Sequence, residues 1–300
     1  MPLKIVKASD PITVEQITTC LYGPPGIGKT SLAFTANAPL LIDFDNGAHR
    51  AENRKDTVQV SQWSEVESIT AEDLAPYQTV IVDTAGRALD VLTADLIRKD
   101  SKMKGRGGAL SLQGYGALKT SFIGWLKLLH SLRKDVVLIA HMDEQRNGDE
   151  VIERLDVQGG SKGEIYKVAD AMGRLLIAQG ARWLNFNPTD TAFGKNPAQL
   201  QAMQIPHPEK DPAFLAGVIT GIKSKLNEAS EAAMAEQARV NELRESFQQL
   251  DSADAFTKKA KELSAAEPKI KGILNATAQA KGFVYDQKEK AFILRQPEAA

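Results

Sequence analysis

Eight consecutive residues, Gly23-Pro24-Pro25-Gly26-Ile27-Gly28-Lys29-Thr30, have the types and spacing of a phosphate-binding loop, G-x-x-x-x-G-K-[ST]. Its glycines let the backbone turn tightly enough for N–H groups to converge on phosphate oxygens. A helix starting near Lys29 and running toward Asn37 would add the positive end of its dipole. In such a loop Lys29 reaches the β- and γ-phosphates and the Thr30 hydroxyl ligates Mg²⁺, so residues 23–31, Ser31 included, form the expected cradle for ATP.

Three further stretches place polar groups where that cradle needs them. Leu40-Leu41-Ile42-Asp43-Phe44-Asp45 is apolar until two acids appear at its carboxyl end. Gln78-Thr79-Val80-Ile81-Val82-Asp83-Thr84 is a β-branched run that delivers an acid, the Walker B pattern, which sets Asp83 beside the Mg²⁺ shell with Thr30. Val136–His141 is a third buried strand, ending on His141. In open α/β sheets the carboxyl ends of the strands face the ligand crevice, so these residues are expected to gather at the loop.

The elements that must hold them read as strand and helix in alternation. Before the loop, residues 17–22 are a strand. Residues 57–60 make another strand, 64–75 a weak helix and 86–98 an amphipathic helix. Residues 98–108 carry Arg98, Lys99, Lys102, Lys104 and Arg106 among three glycines, a mobile cationic loop suited to a phosphate backbone. Tyr115 follows and could stack on a base or anchor the helix over 117–133. Asn147-Gly148 predicts a hairpin into 151–157, and Gly159-Gly160-Ser161-Lys162-Gly163 a second glycine-rich, lysine-bearing loop. Strands at 175–177 and 183–186 turn at Gln179-Gly180, and 187–212 is surface loop. From 213 the composition turns helical, with helices over 213–226, 229–250, 253–264 and 268–280 and a terminal hairpin. A break near Asn227 divides a core over 1–227 from an α-rich module over 228–300 built for contact rather than chemistry.

Composition narrows the class. The chain has 300 residues, 43% hydrophobic and 25% charged, as in an ordinary globular protein. A formal net charge of −1 gives no global nucleic-acid signature, so any such surface must be local. The single Cys20 excludes an internal disulfide, and four scattered histidines exclude a zinc site of Cys/His spacing. Neither a membrane-length apolar run nor a signal-peptide core is present, which predicts a reducing cytoplasm, that of a bacterial host if the chain is phage-encoded.

The order of parts resembles the ATPase core of the RecA-like recombinases: loop, acidic strand end, Walker B, polar-ended strand, glycine-rich lysine loop. Gly-Pro-Pro-Gly-Ile-Gly-Lys-Thr, Leu-Ile-Asp-Phe-Asp-Asn-Gly and Val-Asp-Thr-Ala-Gly-Arg-Ala-Leu-Asp look like the core-only phage members linked to single-strand annealing and recombination. The likeness covers about residues 12–226. It implies an α/β fold with a mostly parallel central sheet, and it places Asp45 where the family has its catalytic glutamate and His141 where it has its γ-phosphate sensor. It also assigns the DNA loops to 99–116 and 145–164, making Lys99, Lys102, Lys104, Arg106, Tyr115 and Lys162 the DNA contacts. The expected partners are single-stranded DNA, further copies of the chain in a ring or filament, and a single-strand-binding or other recombination protein. Lys195 is a candidate for a charge supplied to a neighbouring copy. The chain departs from the family in that Asp45 is a methylene shorter than glutamate and His141 is not glutamine. Three alternatives stand beside this reading. They are an AAA+ remodelling or loading ATPase, whose P-loop often reads Gly-Pro-Pro-Gly but whose catalytic Glu is replaced here by Thr84, a small-molecule kinase, and a nucleotide-gated DNA-binding module with little turnover.

Overall fold

The computed structural model describes residues 3, 5–7, 10–147, 150–158, 161–263, 265 and 267–295, and the side chains of Asn147, Glu150, Ser161 and Lys162 also lie outside what it describes. The chain divides into two compact units, one over Thr13–Asn227, the other from Glu228 onward together with the N-terminal residues through Ile12.

The first unit runs β1 (Thr18–Gly23), α1 (Lys29–Ala33), β2 (Pro39–Asp43), β3 (Thr57–Gln59), β4 (Thr79–Asp83), α2 (Ala85–Lys99), α3 (Leu112–Ser131), β5 (Asp135–Asn147), β6 (Glu150–Leu155), α4 (Ser161–Val168), β7 (Ala171–Ala178), β8 (Ala181–Asn185), β9 (Met203–Gln204) and the start of α5 (Phe214–Gln248). One sheet holds its strands in the order β3-β2-β4-β5-β1-β7-β8-β9, with β6 paired to the outer half of β5. Pairings from β3 through β7 are parallel; β7–β8, β8–β9 and β5–β6 are antiparallel. This is the largely parallel α/β architecture expected of a P-loop core.

Covering a parallel sheet on both faces demands strands that are apolar on both faces, and the alternation sorts them cleanly. Leu40, Ile42, Val80, Val82, Val136 and Leu138 pack toward α2 and α3. Leu21, Leu41, Ile81, Val137 and Ile139 face the other way, toward α1 and the apolar start of α5, Leu215, Val218, Ile219 and Ile222.

Several elements differ from the sequence reading. Residues 64–75 form no α-helix, only a 3₁₀ turn at Trp63–Glu65 followed by turns. There the Val66 carbonyl accepts from Trp125 Nε1 at 2.8 Å, and Trp63, Val66 and Leu74 are buried one by one in the core rather than along a helical stripe. Helix α3 begins at Leu112, earlier than residue 117, because Ser111 caps it by accepting from Gly114 N at 3.1 Å. Gly114 allows that turn to press on the preceding segment: a Cβ there would stand 2.7 Å from Met103 O. The cationic 98–108 stretch is a folded turn rather than a mobile loop, with 3₁₀ turns at Ser101–Met103 and Arg106–Gly108 and a bridge between Lys104 and Leu110. Strand β5 does not stop at His141. Its continuation, polar after Met142, zips with β6 into a two-stranded arm, with Met142 opposite the buried Leu155. Part of the glycine-rich 158–163 stretch opens α4, and Gly148, Gly159 and Gly160 lie outside the described residues. The 187–212 loop contains β9 and a bridge from Lys195 to Met172. The break expected near Asn227 is absent: α5 is continuous, and the Asn227 side chain bonds the Val14 backbone instead.

In the second unit, α6 (Ala253–Glu262), α7 (Pro268–Ala280), β10 (Phe283–Asp286) and β11 (Ala291–Leu294) surround a small core of Phe247, Phe256, Ile270, Leu274, Ala278 and Phe292. Pro268 opens α7, where a missing N–H costs nothing.

Candidate nucleotide site

Strand β5 lies between β1 and β4, so His141 falls in register with Gly23 and lies on the strand beside the one that ends at Asp83. The loop connects β1 to α1, a helix of only five residues. It ends at Ala33, with Phe34 as its C-cap, rather than near Asn37, and the Thr35 hydroxyl donates to Leu32 O at 2.7 Å and accepts from Leu215 N at 3.0 Å. A helix this short contributes little dipole, so the pull on an anion comes from the loop's own N–H groups. Gly28 sits at φ 90, a left-handed conformation, and a Cβ there would stand 2.3 Å from Arg182 Nη1.

Lys29 is folded back on the loop. Its ammonium donates to Gly23 O at 2.9 Å and Pro24 O at 2.8 Å and stands 3.4 Å from His141 Nδ1. Burial brings its pKa down to about 8, against the pull of Asp83 and Asp45. Burial, then Lys29, also pushes His141 below the usual imidazole value. The Thr30 hydroxyl donates to Asp83 Oδ2 at 2.6 Å. Burial pushes Asp83 up to about 6 despite that bond, with Asp43 and Asp45 adding to the rise.

Asp43 does not enter the pocket. Wholly buried, it accepts from Asp45 N, Gly47 N and Ala48 N at 3.1, 3.2 and 2.9 Å, and so shapes the turn that carries Asp45. Between them Phe44 is stacked on Trp63 and meets Trp125 edge-on, at centroid distances of 6.1 and 6.3 Å. Asp45 lies between two guanidinium groups, Arg50 Nη2 and Arg87 Nε, each at 3.4 Å.

A cavity of about 480 Å³ is lined by Pro25, Gly26, Gly28, Lys29, Thr30, Ser31, Asp45, Asp83 and His141, along with Gly47, Arg50, Ala51 and Arg87. Gly23 and Pro24 contribute carbonyls to Lys29, Ile27 is buried in the core, and the Ser31 hydroxyl accepts from Glu52 N. The residues present suit Mg²⁺. Thr30 and Asp83 offer hard oxygen donors side by side, and among the described residues no cluster of three or more ligating side chains exists. A Mg²⁺ that takes the rest of its shell from water and phosphate asks for no more.

The residues assigned to DNA lie outside this pocket. Lys102, Lys104, Arg106 and Tyr115 are exposed around the start of α3. Lys99 is committed to Glu67 and Asp95, at 2.8 and 2.9 Å. The Lys162 side chain lies outside the described residues. Lys195 is tied to the end of α4, donating to Tyr166 O and Ala169 O, and is not the free charge the sequence suggested. Three arginines escaped the sequence reading. Arg87 was legible as the first-turn residue after Asp83 and Arg50 as a neighbour of Asp45. Arg182 reaches Gly28 from β8, and nothing in its local sequence signals that.

A loop wrapped for phosphate, a Thr30–Asp83 pair of Mg²⁺-type oxygens and a carboxylate across the cavity, at the carboxyl edge of a parallel sheet, define a P-loop nucleoside triphosphatase core. A family model described as "AAA domain" matches residues 15–198, and the chain belongs to that family of ATPase-type domains. A search of curated proteins found no match. Among the described residues, no helix is long and apolar enough to cross a membrane.

Proposed function

We propose that the chain is a DNA-stimulated ATPase that holds single-stranded DNA beside α3 and α4 and serves phage-type homologous recombination or strand annealing, assembling with further copies of itself. The path of β5 carries the reading. The strand that places His141 3.4 Å from Lys29 Nζ runs on without interruption into the arm with β6, and the arm returns to the pocket where Asp156 N donates to His141 O at 2.9 Å. An event at the phosphates therefore has a covalent and hydrogen-bonded route to 142–158. A Lys119–Glu164 ion pair at 3.0 Å brings α3 against α4, and exposed Tyr115 lies one turn before Lys119.

In the cycle, Lys29 exchanges the Gly23 and Pro24 carbonyls for β- and γ-phosphate oxygens. Thr30 and Asp83 hold Mg²⁺, which when bound neutralises phosphate charge. Asp45 orients the attacking water, as a positioning group or general base. His141 meets the γ-phosphate, and the arm and α3–α4 face grip DNA while it is present.

Two other readings each have an observation in their favour. The AAA domain match favours a remodelling or loading ATPase. The two guanidinium groups holding Asp45 favour a nucleotide-gated binding module with little turnover. Phosphate release from Mg·ATP, measured with and without single-stranded DNA and with Lys29→Ala as the blank, separates them. Stimulation by DNA supports the proposal. Turnover indifferent to DNA, from hexamers formed with ATP, favours the remodeller. Bound ATP and DNA with no turnover leave the binding module.

A further inference from the structure

Arg87, on the first turn of α2, touches two carboxylates at once. Its Nε faces Asp45 Oδ1 at 3.4 Å, and its Nη1 faces Asp90 Oδ2 at 3.1 Å. The other oxygen of Asp90 accepts from Gln158 Nε2, in the segment that closes the β5–β6 arm. Arg87 and His141 also line both the nucleotide cavity and a smaller polar cavity of about 150 Å³ walled by Asp90, Asp156 and Gln158. The two walls are in close contact: a Cβ on Gly86 would stand 2.9 Å from Asp156 O. The Arg87 side chain is 60% exposed, so nothing packed around it fixes it on Asp45.

We propose that Arg87 reads the terminal phosphate of a bound nucleoside triphosphate, exchanging Asp45 for that phosphate, and relays its presence through Asp90 and Gln158 to the segment 156–158. A terminal phosphate offers about two negative charges and three acceptor oxygens, against a single charge on Asp45. It also arrives beside a guanidinium that already lines its cavity. The exchange does two things. Asp45 loses one of its two cations and is left to orient water. The Arg87–Asp90–Gln158 chain is drawn toward the pocket, and the arm's return segment goes with it. A diphosphate ends short of that position, so with it Arg87 stays on Asp45. The inference rests on the nucleotide reading of the site and makes no use of DNA.

The test compares binding of Mg²⁺ with a non-hydrolysable triphosphate analogue and of Mg·ADP, by calorimetry on the full chain, with hydrogen exchange followed over residues 150–163. In Arg87→Gln, affinity for the triphosphate analogue falls about tenfold or more, as for loss of a charge-assisted contact, while that for ADP holds. Arg87→Lys recovers part of the loss. Asp90→Asn keeps the preference for triphosphate but loses the extra protection of 150–163 that the triphosphate confers on the wild type. Because the readout is a ratio of two ligands on one sample, a misfolded variant, which loses both, is not mistaken for the effect. An unchanged ratio in Arg87→Gln, or triphosphate-dependent protection that persists in Asp90→Asn, overturns the assignment alone. Failure of the wild type to bind either nucleotide overturns the nucleotide reading as well.

Discussion

Replacing Asp43 by Asn tests whether the turn that positions Asp45 is held by charge. Asp43 Oδ1 accepts from Asp45 N at 3.1 Å and Gly47 N at 3.2 Å, and Oδ2 accepts from Ala48 N at 2.9 Å. Asparagine keeps one acceptor oxygen. One bond is lost outright, its N–H then faces an amide NH₂, and the other two lose their charge assistance. Hydrogen bonds to a charged group contribute about 1.5–3 kcal/mol each, so one lost and two weakened predict a destabilisation of about 2–4 kcal/mol. A neutral side chain costs less to bury, which works against the loss and keeps the figure from being larger. Urea unfolding monitored by the Trp63–Trp125 cluster gives the value directly, as a lower midpoint at unchanged slope. Under the proposed mechanism the same variant should lose turnover more than substrate affinity, because Asp45 moves while Lys29 and Thr30 do not. A stability change below about 0.5 kcal/mol, the range of ordinary surface substitutions, would refute the reasoning. So would full destabilisation with turnover per folded molecule intact.

Other expectations follow from single contacts. Trp125→Phe removes the donor to Val66 O, leaves that buried carbonyl unpaired and shrinks a ring packed on Phe44, Trp63 and Phe122; the expected loss is about 2–4 kcal/mol in urea unfolding. Gly28→Ala forces a Cβ into a left-handed position against Arg182, costing about 1–2 kcal/mol of stability and, more visibly in a binding titration, most of the nucleotide affinity. Cys20, fully buried with its thiol pushed up from 9.0 to about 12, should resist alkylation until the chain unfolds. Above pH 9 the unfolded chain ionises this thiol and the folded one does not, so stability falls with rising pH, and Cys20→Ala should flatten that slope.

The sequence was legible where a residue's neighbours along the chain are also its neighbours in space. The P-loop, the apolar runs of β2, β4 and β5 and the acids at their ends are of this kind, because a parallel sheet aligns carboxyl ends without any further instruction. Residues 64–75 misled because Val66, Ile69 and Leu74 have helical spacing, yet all three pack into the core one by one and the Val66 carbonyl accepts from Trp125. Residues 98–108 looked like a free cationic loop because their partners arrive from afar: the Glu67 carboxylate reaches Lys99 across the sequence, and the Gln62 amide oxygen accepts from Arg98. Arg182 was out of reach of any local pattern, since β8 stands two strands from β1 in the sheet and only the long side chain spans to the P-loop. The continuation of β5 past His141 showed only through the Asn147-Gly148 turn signal, because Asp143 to Asn147 are polar. Of this arm's described residues only Met142 and Leu155 join the main apolar core, and the polar remainder of β5 rests on backbone pairing, which leaves no mark on hydrophobic periodicity.

The protonation tendencies of the pocket suit the Mg²⁺ and triphosphate of the proposed function. Lys29 is brought down to about 8, His141 is pushed below its usual value and Asp83 is pushed up to about 6, so each leans toward its neutral form. Burial is the leading cause in all three, and it outweighs the bonds that replace water, such as that from Thr30 to Asp83. Anionic phosphates beside Lys29 and His141, with a divalent cation beside Asp83 and Thr30, would reverse every one of these shifts. His141 makes the argument measurable without nucleotide. Its ordinary value is 6.5 and its folded value is lower, so below pH 6.5 the unfolded chain binds the proton first. Stability therefore falls as pH drops below 6.5 toward the folded value and is unaffected by this group above it. In His141→Gln the stability lost between about pH 7.5 and 5.5 should shrink, since the variant has no proton to take up there. With a triphosphate analogue bound, the wild type should lose less stability over the same interval than it does free. An identical slope in wild type and variant would mean that His141 titrates normally and is not desolvated against Lys29, and the account of the pocket as one whose buried groups favour their neutral forms would fail with it.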